Sequence, residues 1–250
     1  PPLPWNELPP LDAVLISHDH YDHLDMPTIR RLIDTDVPIL VPLGVGAHLE
    51  HWQIPAERII EHDWWDEYQL GDLRLVTTPA RHFSGRSMLM TDRMQTLWAG
   101  WALIGPAHRI YYSGDTAMFP GFHEIGRRLG PFDATMIESG AYNQLWRDVH
   151  VGPEQAVQAH VMVGGKVMIP VHWGTFDLAL HSWTEPVERV MIAAQRFGVT
   201  VATPQPGQSV EPATVPPPTR WWPTTEWETA EEAPVVSSSL NQALLPQPGS

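Results

Sequence analysis

The chain has no cysteine, so neither a disulfide nor a cysteine-ligated zinc site can form. Lysine occurs once, at Lys166, and 15 basic residues face 29 acidic ones, for a net charge of −14. Phosphate backbones are held largely by Lys and Arg, so a nucleic-acid partner is disfavoured. The same deficit argues against electrostatic docking on an anionic membrane. The sequence has no run of 18 apolar residues, and no membrane-spanning helix is predicted. It also lacks a G-x-S-x-G elbow and a G-x-x-x-x-G-K-[ST] frame. Neither a serine nucleophile nor a phosphate-cradling loop is indicated, and Gly164-Gly165-Lys166 reads as a turn. With 250 residues, 43% of them hydrophobic, the chain can build one large domain with a sizeable core.

One segment stands out. Ser17-His18-Asp19-His20-Tyr21-Asp22-His23-Leu24-Asp25 carries three histidines and an aspartate at the spacing H-x-H-x-D-H, directly after the apolar run Ala13-Val14-Leu15-Ile16. Such a run reads as a buried strand, which puts the motif on a loop at a strand end. Imidazole and carboxylate suit a borderline cation such as zinc. Four donors within six residues are too many for one tetrahedral ion with an open position, but they suit two ions completed from elsewhere.

The pattern alternates helix and strand. Helices are predicted over 26–34, 44–52, 119–129, 153–162 and 185–197. Strands are predicted over 38–41, 58–61, 73–77, 87–90, 96–104, 109–113, 135–137 and 167–171. Ten prolines fall from Pro204 to Pro248, among Ser, Thr, Glu and Gln. Such a composition buries too little apolar surface to offset its ordering entropy. The expected division is therefore a folded domain over 1–211 and a disordered tail over 212–250. Trp221, Trp222 and Trp227 are read as incidental or loosely packed.

Three further donors each end or follow a predicted strand. His82 lies in Pro79-Ala80-Arg81-His82-Phe83-Ser84-Gly85. Asp115 follows Tyr111-Tyr112-Ser113 through Gly114, where glycine permits a sharp turn that aims the next side chain. His172 follows Val167-Met168-Ile169-Pro170-Val171. Segments ending this way are expected to converge on one edge of a sheet system.

The order H-x-H-x-D-H, His, Gly-Asp, His resembles the metallo-β-lactamase superfamily. Arg-His-Phe-Ser-Gly-Arg, Tyr-Ser-Gly-Asp-Thr, Gly-Ala-Tyr, His-Val-Gly-Pro-Glu-Gln-Ala and Val-His-Trp-Gly-Thr-Phe look like the branch of N-acyl-phosphatidylethanolamine-hydrolysing phospholipase D. The resemblance covers about residues 5 to 200. It implies an α/β (α+β) fold of the αββα sandwich type. The family's chains begin with strands well upstream of the first histidine motif, whereas 17 residues precede His18 here. The N-terminal strands are therefore expected to be missing. After Gly140-Ala141-Tyr142 the lipase members carry Glu-Pro-Arg-Trp, where this chain has Asn143-Gln144-Leu145-Trp146.

By resemblance, His18, His20 and His82 bind one zinc, Asp22, His23 and His172 a second, and Asp115 bridges them. The implied activity is hydrolysis of a phosphodiester by a metal-bound hydroxide, with Asp22, Asp115 and His150 as catalytic positions. His150 resembles the family's active-site histidine, and Tyr142 is a weaker candidate for contacting substrate. A lactonase or β-lactam hydrolase on the same two-zinc site, and an inactive metal-binding fragment, are the alternatives. Asp19 and Asp25 either accept N–H bonds from ligand histidines or serve the loop's own turns. Trp64-Trp65 and Trp98–Trp101 either line an acyl pocket or pack in the core. His48, His51, His62, His108, His123, His160 and His181 are read as surface or structural. The expected partners are a small-molecule or phospholipid substrate and no nucleic acid. The expected location is cytoplasmic, with peripheral membrane contact left open.

Overall fold

The apolar run before the histidine motif forms β1 (Val14–Leu15) in a computed structural model that describes residues 4–89, 91–239 and 245–249. The fold is mixed α/β and divides into two compact units, residues 1–79 with 83–106 and residues 80–82 with 107–250. The stretch 1–211 expected as the hydrolase domain takes in the first unit and most of the second.

In the first unit, β1 is followed by α1 (Met26–Arg30), β2 (Ile39–Pro42), α2 (Gly46–His51) and β3 (Ile59–His62). These strands form a parallel sheet in the order β1-β2-β3, with Ile39 beside both Val14 and Ile59. Parallel strands buried on both faces read as continuous apolar runs, and β2 is buried throughout. Ile16 and Leu24, one on each side of the histidine loop, are buried in one cluster with Ile29, Ile39, Val41 and Leu49. The loop is thus anchored at both ends by core side chains.

The antiparallel strands β4 (Glu67–Leu70), β5 (Leu73–Thr78) and β6 (Gly100–Ile104) follow. Trp101 is fully buried, and its Nε1 donates to the Ile16 carbonyl at 2.9 Å. Trp64 Nε1 donates to the Trp98 carbonyl at 2.7 Å. These tryptophans fasten the unit, which favours core packing over an acyl pocket. The strand expected over 87–90 does not form. Arg86 N and Ser87 N both donate to the Asp92 carboxylate, at 2.9 Å each, and Ser87–Leu89 runs into a turn. Met90 lies outside the described residues.

The second unit contains β7 (Arg109–Tyr112), α3 (Gly121–Leu129), β8 (Phe132–Glu138), α4 (Pro153–Met162), β9 (Gly165–Val171), α5 (Glu185–Phe197) and β10 (Thr200–Val201). Its strands are parallel, in the order β7-β8-β9-β10. Ile110, Ala134, Val167 and Thr200 lie in one row across them. Because the strands run the same way, the carboxyl ends of β7, β8 and β9 share one edge, where open parallel sheets place their ligands. Helices α4 and α5 have the predicted bounds. Each starts on a proline signal, and α5 ends at Gly198 with φ 66°.

The Pro-rich segment differs from the disordered tail expected. Regular structure is indeed scarce, limited among the described residues beyond 211 to one 3₁₀ turn at Pro212–Thr214. Yet the segment lies along α5 and finds polar partners. Arg220 Nη2 donates to Glu188 at 3.0 Å, and the buried Trp222 donates to Glu188 at 2.8 Å. Glu228 N donates to Glu185 at 3.1 Å. The Ala233 carbonyl accepts from the buried Arg189, which also grips Glu154 at 3.0 and 2.8 Å. Composition could not show that the aromatic and charged side chains meet carboxylates on a helix. Truncation after Glu211 is therefore expected to cost about 3 kcal/mol or more, from loss of the Trp222 burial alone and some hydrogen bonding. That corresponds to a fall of roughly 6–12 °C in melting temperature for a chain of this size, measured by scanning calorimetry. An unchanged melting temperature would reject the docked strap.

His160 makes a second stability prediction. It is buried on α4, 2.8 Å from Thr135 Oγ1, and burial holds its pKa down at about 4. The unfolded chain takes up this proton near pH 6.5, before the folded one does. Stability from this group is therefore complete above pH 6.5 and is lost as pH falls toward 4, by about 3 kcal/mol at most. His160→Asn keeps a polar atom facing Thr135 and cannot titrate. Urea unfolding from pH 4 to 7 is expected to show a flatter profile for the variant than for the parent. Parallel profiles would remove His160 from the account.

Candidate metal centre

The H-x-H-x-D-H loop is wound into a tight turn, with His23 N and Leu24 N both donating to the His20 carbonyl, at 3.1 and 2.8 Å. This puts the donors on one side of the loop. His18 Nε2 and His20 Nδ1 face each other at 2.9 Å, and His23 Nε2 lies 3.3 Å from the Asp22 carboxylate. Ser17 Oγ sits 3.0 Å from His18 Nδ1, which orients that ring and leaves Nε2 pointing at His20. Two imidazole nitrogens meeting at this distance are placed as ligands of a shared ion would be.

Asp19 and Asp25 do not serve the ligand histidines among the contacts resolved here. The Asp19 carboxylate accepts from Gly85 N at 2.8 Å and Thr96 Oγ1 at 2.9 Å, with His48 Nε2 at 3.3 Å. Burial pushes this carboxyl up, but those hydrogen bonds outweigh it and hold its pKa below the ordinary value. Asp19 therefore ties the histidine loop to the 83–96 loop of the same unit. Arg86 adds to this tie by donating to the carbonyls of Asp19 and Leu24 at 2.6 and 2.8 Å. Asp25 caps α1, accepting from Thr28 N at 2.9 Å, an ordinary N-cap.

The second unit gathers its own donors at the carboxyl edge of its parallel sheet. Asp115 follows β7 through Gly114, whose φ of 59° makes the turn. Glu138 is the last residue of β8. His172 follows β9 with φ 64°, a left-handed conformation that a non-glycine residue holds only under constraint. Gly140 makes room for this turn, because any side chain there would collide with the His172 carbonyl. Ligand atoms of Asp115, Glu138, His150 and His172 lie within 4.8 Å of one another. His172 Nε2 is 3.4 Å and His82 Nε2 3.7 Å from Asp115 Oδ2. Segment 80–82 is pinned to this edge by Ala117 N donating to the Arg81 carbonyl at 2.7 Å and by Arg81 N on Thr116 Oγ1 at 2.9 Å.

His82 directs Nδ1 at the Val149 carbonyl, 3.0 Å away, and Nε2 toward Asp115. His150 Nδ1 lies 2.8 Å from Glu138 Oε2, and its ring stacks on that of His172, with centroids 5.5 Å apart. The sequence reading missed Glu138. It closes the run Phe132–Glu138, which also carries Asp133 and Thr135, so the available signal was only its place at a strand end, like Asp115 and His172. Glu138 is fully buried and accepts from Thr116 N at 2.6 Å. Burial pushes its carboxyl up against the pull of His150, with Asp115 adding to the rise. Two buried carboxylates side by side are costly unless cations accompany them. Imidazole and carboxylate donors at this spacing fit a borderline divalent ion.

Tyr142 is not placed to meet substrate. It is buried, donates to Glu185 at 2.6 Å and stacks on His181.

A model of the beta-lactamase superfamily domain matches residues 1–173. A protein of Mycobacterium tuberculosis is 51% identical over 226 residues, 89% of this chain and 60% of its own length. The N-acyl-phosphatidylethanolamine-hydrolyzing phospholipase D 1 of Caenorhabditis elegans is 35% identical over 190 residues, 71% of this chain and 53% of that protein. The chain thus spans 60% and 53% of these curated relatives. Igni18, a metallo hydrolase of Ignicoccus hospitalis, has a similar structure, with TM-score 0.61 and 21% identity over 80% of this chain and 78% of its own. Among the described residues, no helix is long and apolar enough to cross a membrane.

Proposed function

Because the chain belongs to the beta-lactamase superfamily domain family, we propose that it is a metal-dependent hydrolase, and specifically a two-zinc phosphodiesterase similar to N-acyl-phosphatidylethanolamine-hydrolysing phospholipase D. The observation that carries this reading is the group of buried Asp115 and Glu138 with half-buried His150 and His172 at one sheet edge, with ligand atoms within 4.8 Å. The assignment of individual ligands follows the resemblance: His18, His20 and His82 for one ion, Asp22, His23 and His172 for the other, and Asp115 for both. Bound zinc supplies Lewis acidity and lowers the pKa of coordinated water to about 7.

The chain's own residues hold and orient. The Val149 carbonyl fixes the tautomer of His82. Glu138 fixes the ring of His150, whose Nε2 is left to meet a phosphate oxygen of the substrate. Asp115 is aimed at the sheet edge by the Gly114 turn. A phosphodiester, in a phospholipid or a smaller molecule, matches a site where cations dominate the local field on an otherwise acidic protein.

The test is metal analysis of folded protein followed by turnover of a chromogenic phosphodiester, a lactone, a β-lactam and a phospholipid. Two equivalents of zinc with phosphodiester turnover are expected. Preference for the lactone or the β-lactam would move the assignment to those esters and amides. Less than one equivalent of metal and no turnover would reject an enzyme altogether.

A further inference from the structure

Asp148 begins the segment Asp148–His150, which touches the metal centre twice. Val149 accepts from His82, and His150 meets Glu138. The Asp148 carboxylate is itself gripped from two elements distant in sequence. Arg81 Nη1 donates to Oδ1 at 3.0 Å. From the Pro-rich strap, Ser238 N donates to Oδ1 at 2.9 Å and Ser238 Oγ to Oδ2 at 2.6 Å. The Ser237 hydroxyl is buried, 3.2 Å from Oδ1 and 3.3 Å from the Met118 carbonyl, and it accepts from Arg81 Nη1 at 3.1 Å. Ser239 Oγ donates to the same Met118 carbonyl.

These bonds are not the strap's only attachment among the described residues. Arg220, Trp222, Glu228 and Ala233 already fasten it along α5. What the serines add is a fixed position for Asp148, and with it for the next carbonyl. Arg81 precedes His82 in the chain, so the same clamp constrains both sides of the His82–Val149 hydrogen bond. We infer that Ser237 and Ser238, together with Arg81, form a clamp on Asp148 that positions His82 and His150, so that the C-terminal strap sets how tightly the centre holds its ion. This rests on the metal-centre reading above.

The experiment compares Asp148→Ala, Asp148→Asn and the double variant Ser237→Ala/Ser238→Ala with the parent full-length chain. Metal-free protein is titrated with cobalt(II) and followed by its visible absorption. In parallel, the ring nitrogens of metal-free protein are read by ¹⁵N NMR, where the parent is expected to show His82 protonated on Nδ1. Loss of a group that orients a ligand weakens metal binding by roughly 10–100-fold. That loss is expected in Asp148→Ala and in the serine double variant, with the His82 tautomer no longer fixed. Asp148→Asn keeps an acceptor for Ser238 N and is expected to recover most of the affinity. If Asp148→Ala does not fold, the serine variant decides. Parent affinity, an unchanged cobalt spectrum and an intact His82 tautomer in the variants would overturn the clamp alone. A parent chain that binds no cobalt would overturn the metal-centre reading and the clamp with it.

Discussion

Asp115→Ala is expected to lose most of its bound metal and to turn over a phosphodiester roughly 10³-fold more slowly or worse, since each 1.36 kcal/mol of lost stabilisation is tenfold and a Lewis acid supplies several kcal/mol. The carboxylate is buried at the end of β7, 3.4 Å from His172 and 3.7 Å from His82. Alanine removes the donor and leaves Glu138 as the one carboxylate of the group. Elemental analysis and steady-state kinetics measure the two losses together. Folding must be separated from ligation, and the metal-free proteins do this. Without metal, Asp115 stands beside the buried Glu138, and like charges at close range in a poorly solvated site repel. Metal-free Asp115→Asn is therefore expected to melt no lower than the metal-free parent. Full metal content in Asp115→Ala would end the bridging assignment. A collapse in the melting temperature of metal-free Asp115→Asn would make the residue structural.

Much of each donor cluster is legible in residue order, because the candidate donors sit where apolar runs stop. His18 follows Ile16 and Ser17, Asp115 follows Tyr112 by a glycine turn, and His172 directly follows β9. A strand end is visible in a sequence as a change from apolar to polar, and its loop inherits the sheet's geometry. The helices α4 and α5 were legible to the residue for a similar local reason, a proline in the first turn of each. What the sequence hid depends on contacts between distant positions. Glu138 is the last residue of a strand that also carries Asp133 and Thr135, and only the shared edge with Asp115 and His172 gives it a role. Asp19 and Asp25 are polar residues inside the motif, but one holds the neighbouring loop and the other caps a helix. The run 87–90 has strand-like composition, yet the Asp92 carboxylate captures the amides of Arg86 and Ser87 and closes a turn. The strap's composition ruled out regular structure but carried no trace of Glu188, Glu185 and Asp148, the carboxylates that hold it.

The second large effect belongs to the pair Glu138 and His150. His150→Ala is expected to keep both metal ions and to lose roughly 10²-fold or more in phosphodiester turnover, the scale of removing one transition-state stabiliser. The loss on an uncharged lactone should be smaller, because no phosphate oxygen there needs a donor. Glu138→Gln tests the pair from the other side. One amide oxygen can still accept from Thr116 N, now 2.6 Å from Oε1, so the backbone contact survives. The amide nitrogen then faces His150 Nδ1, which sits 2.8 Å from Oε2 in the parent. A donor there takes the place of an acceptor, so the doubly protonated imidazole, whose Nε2–H would donate to the phosphate oxygen, loses the carboxylate that accompanies its charge. Turnover is expected to fall by a similar factor, with metal content retained. The double variant separates a shared role from two independent ones. If Glu138 acts through His150, adding Glu138→Gln to His150→Ala should cost little more, since groups working as a unit are strongly non-additive. Multiplying losses would mean that Glu138 serves the metal site directly. Loss of metal from His150→Ala would make His150 a ligand, consistent with its place within 4.8 Å of Asp115 and His172, and would remove it from contact with the phosphate.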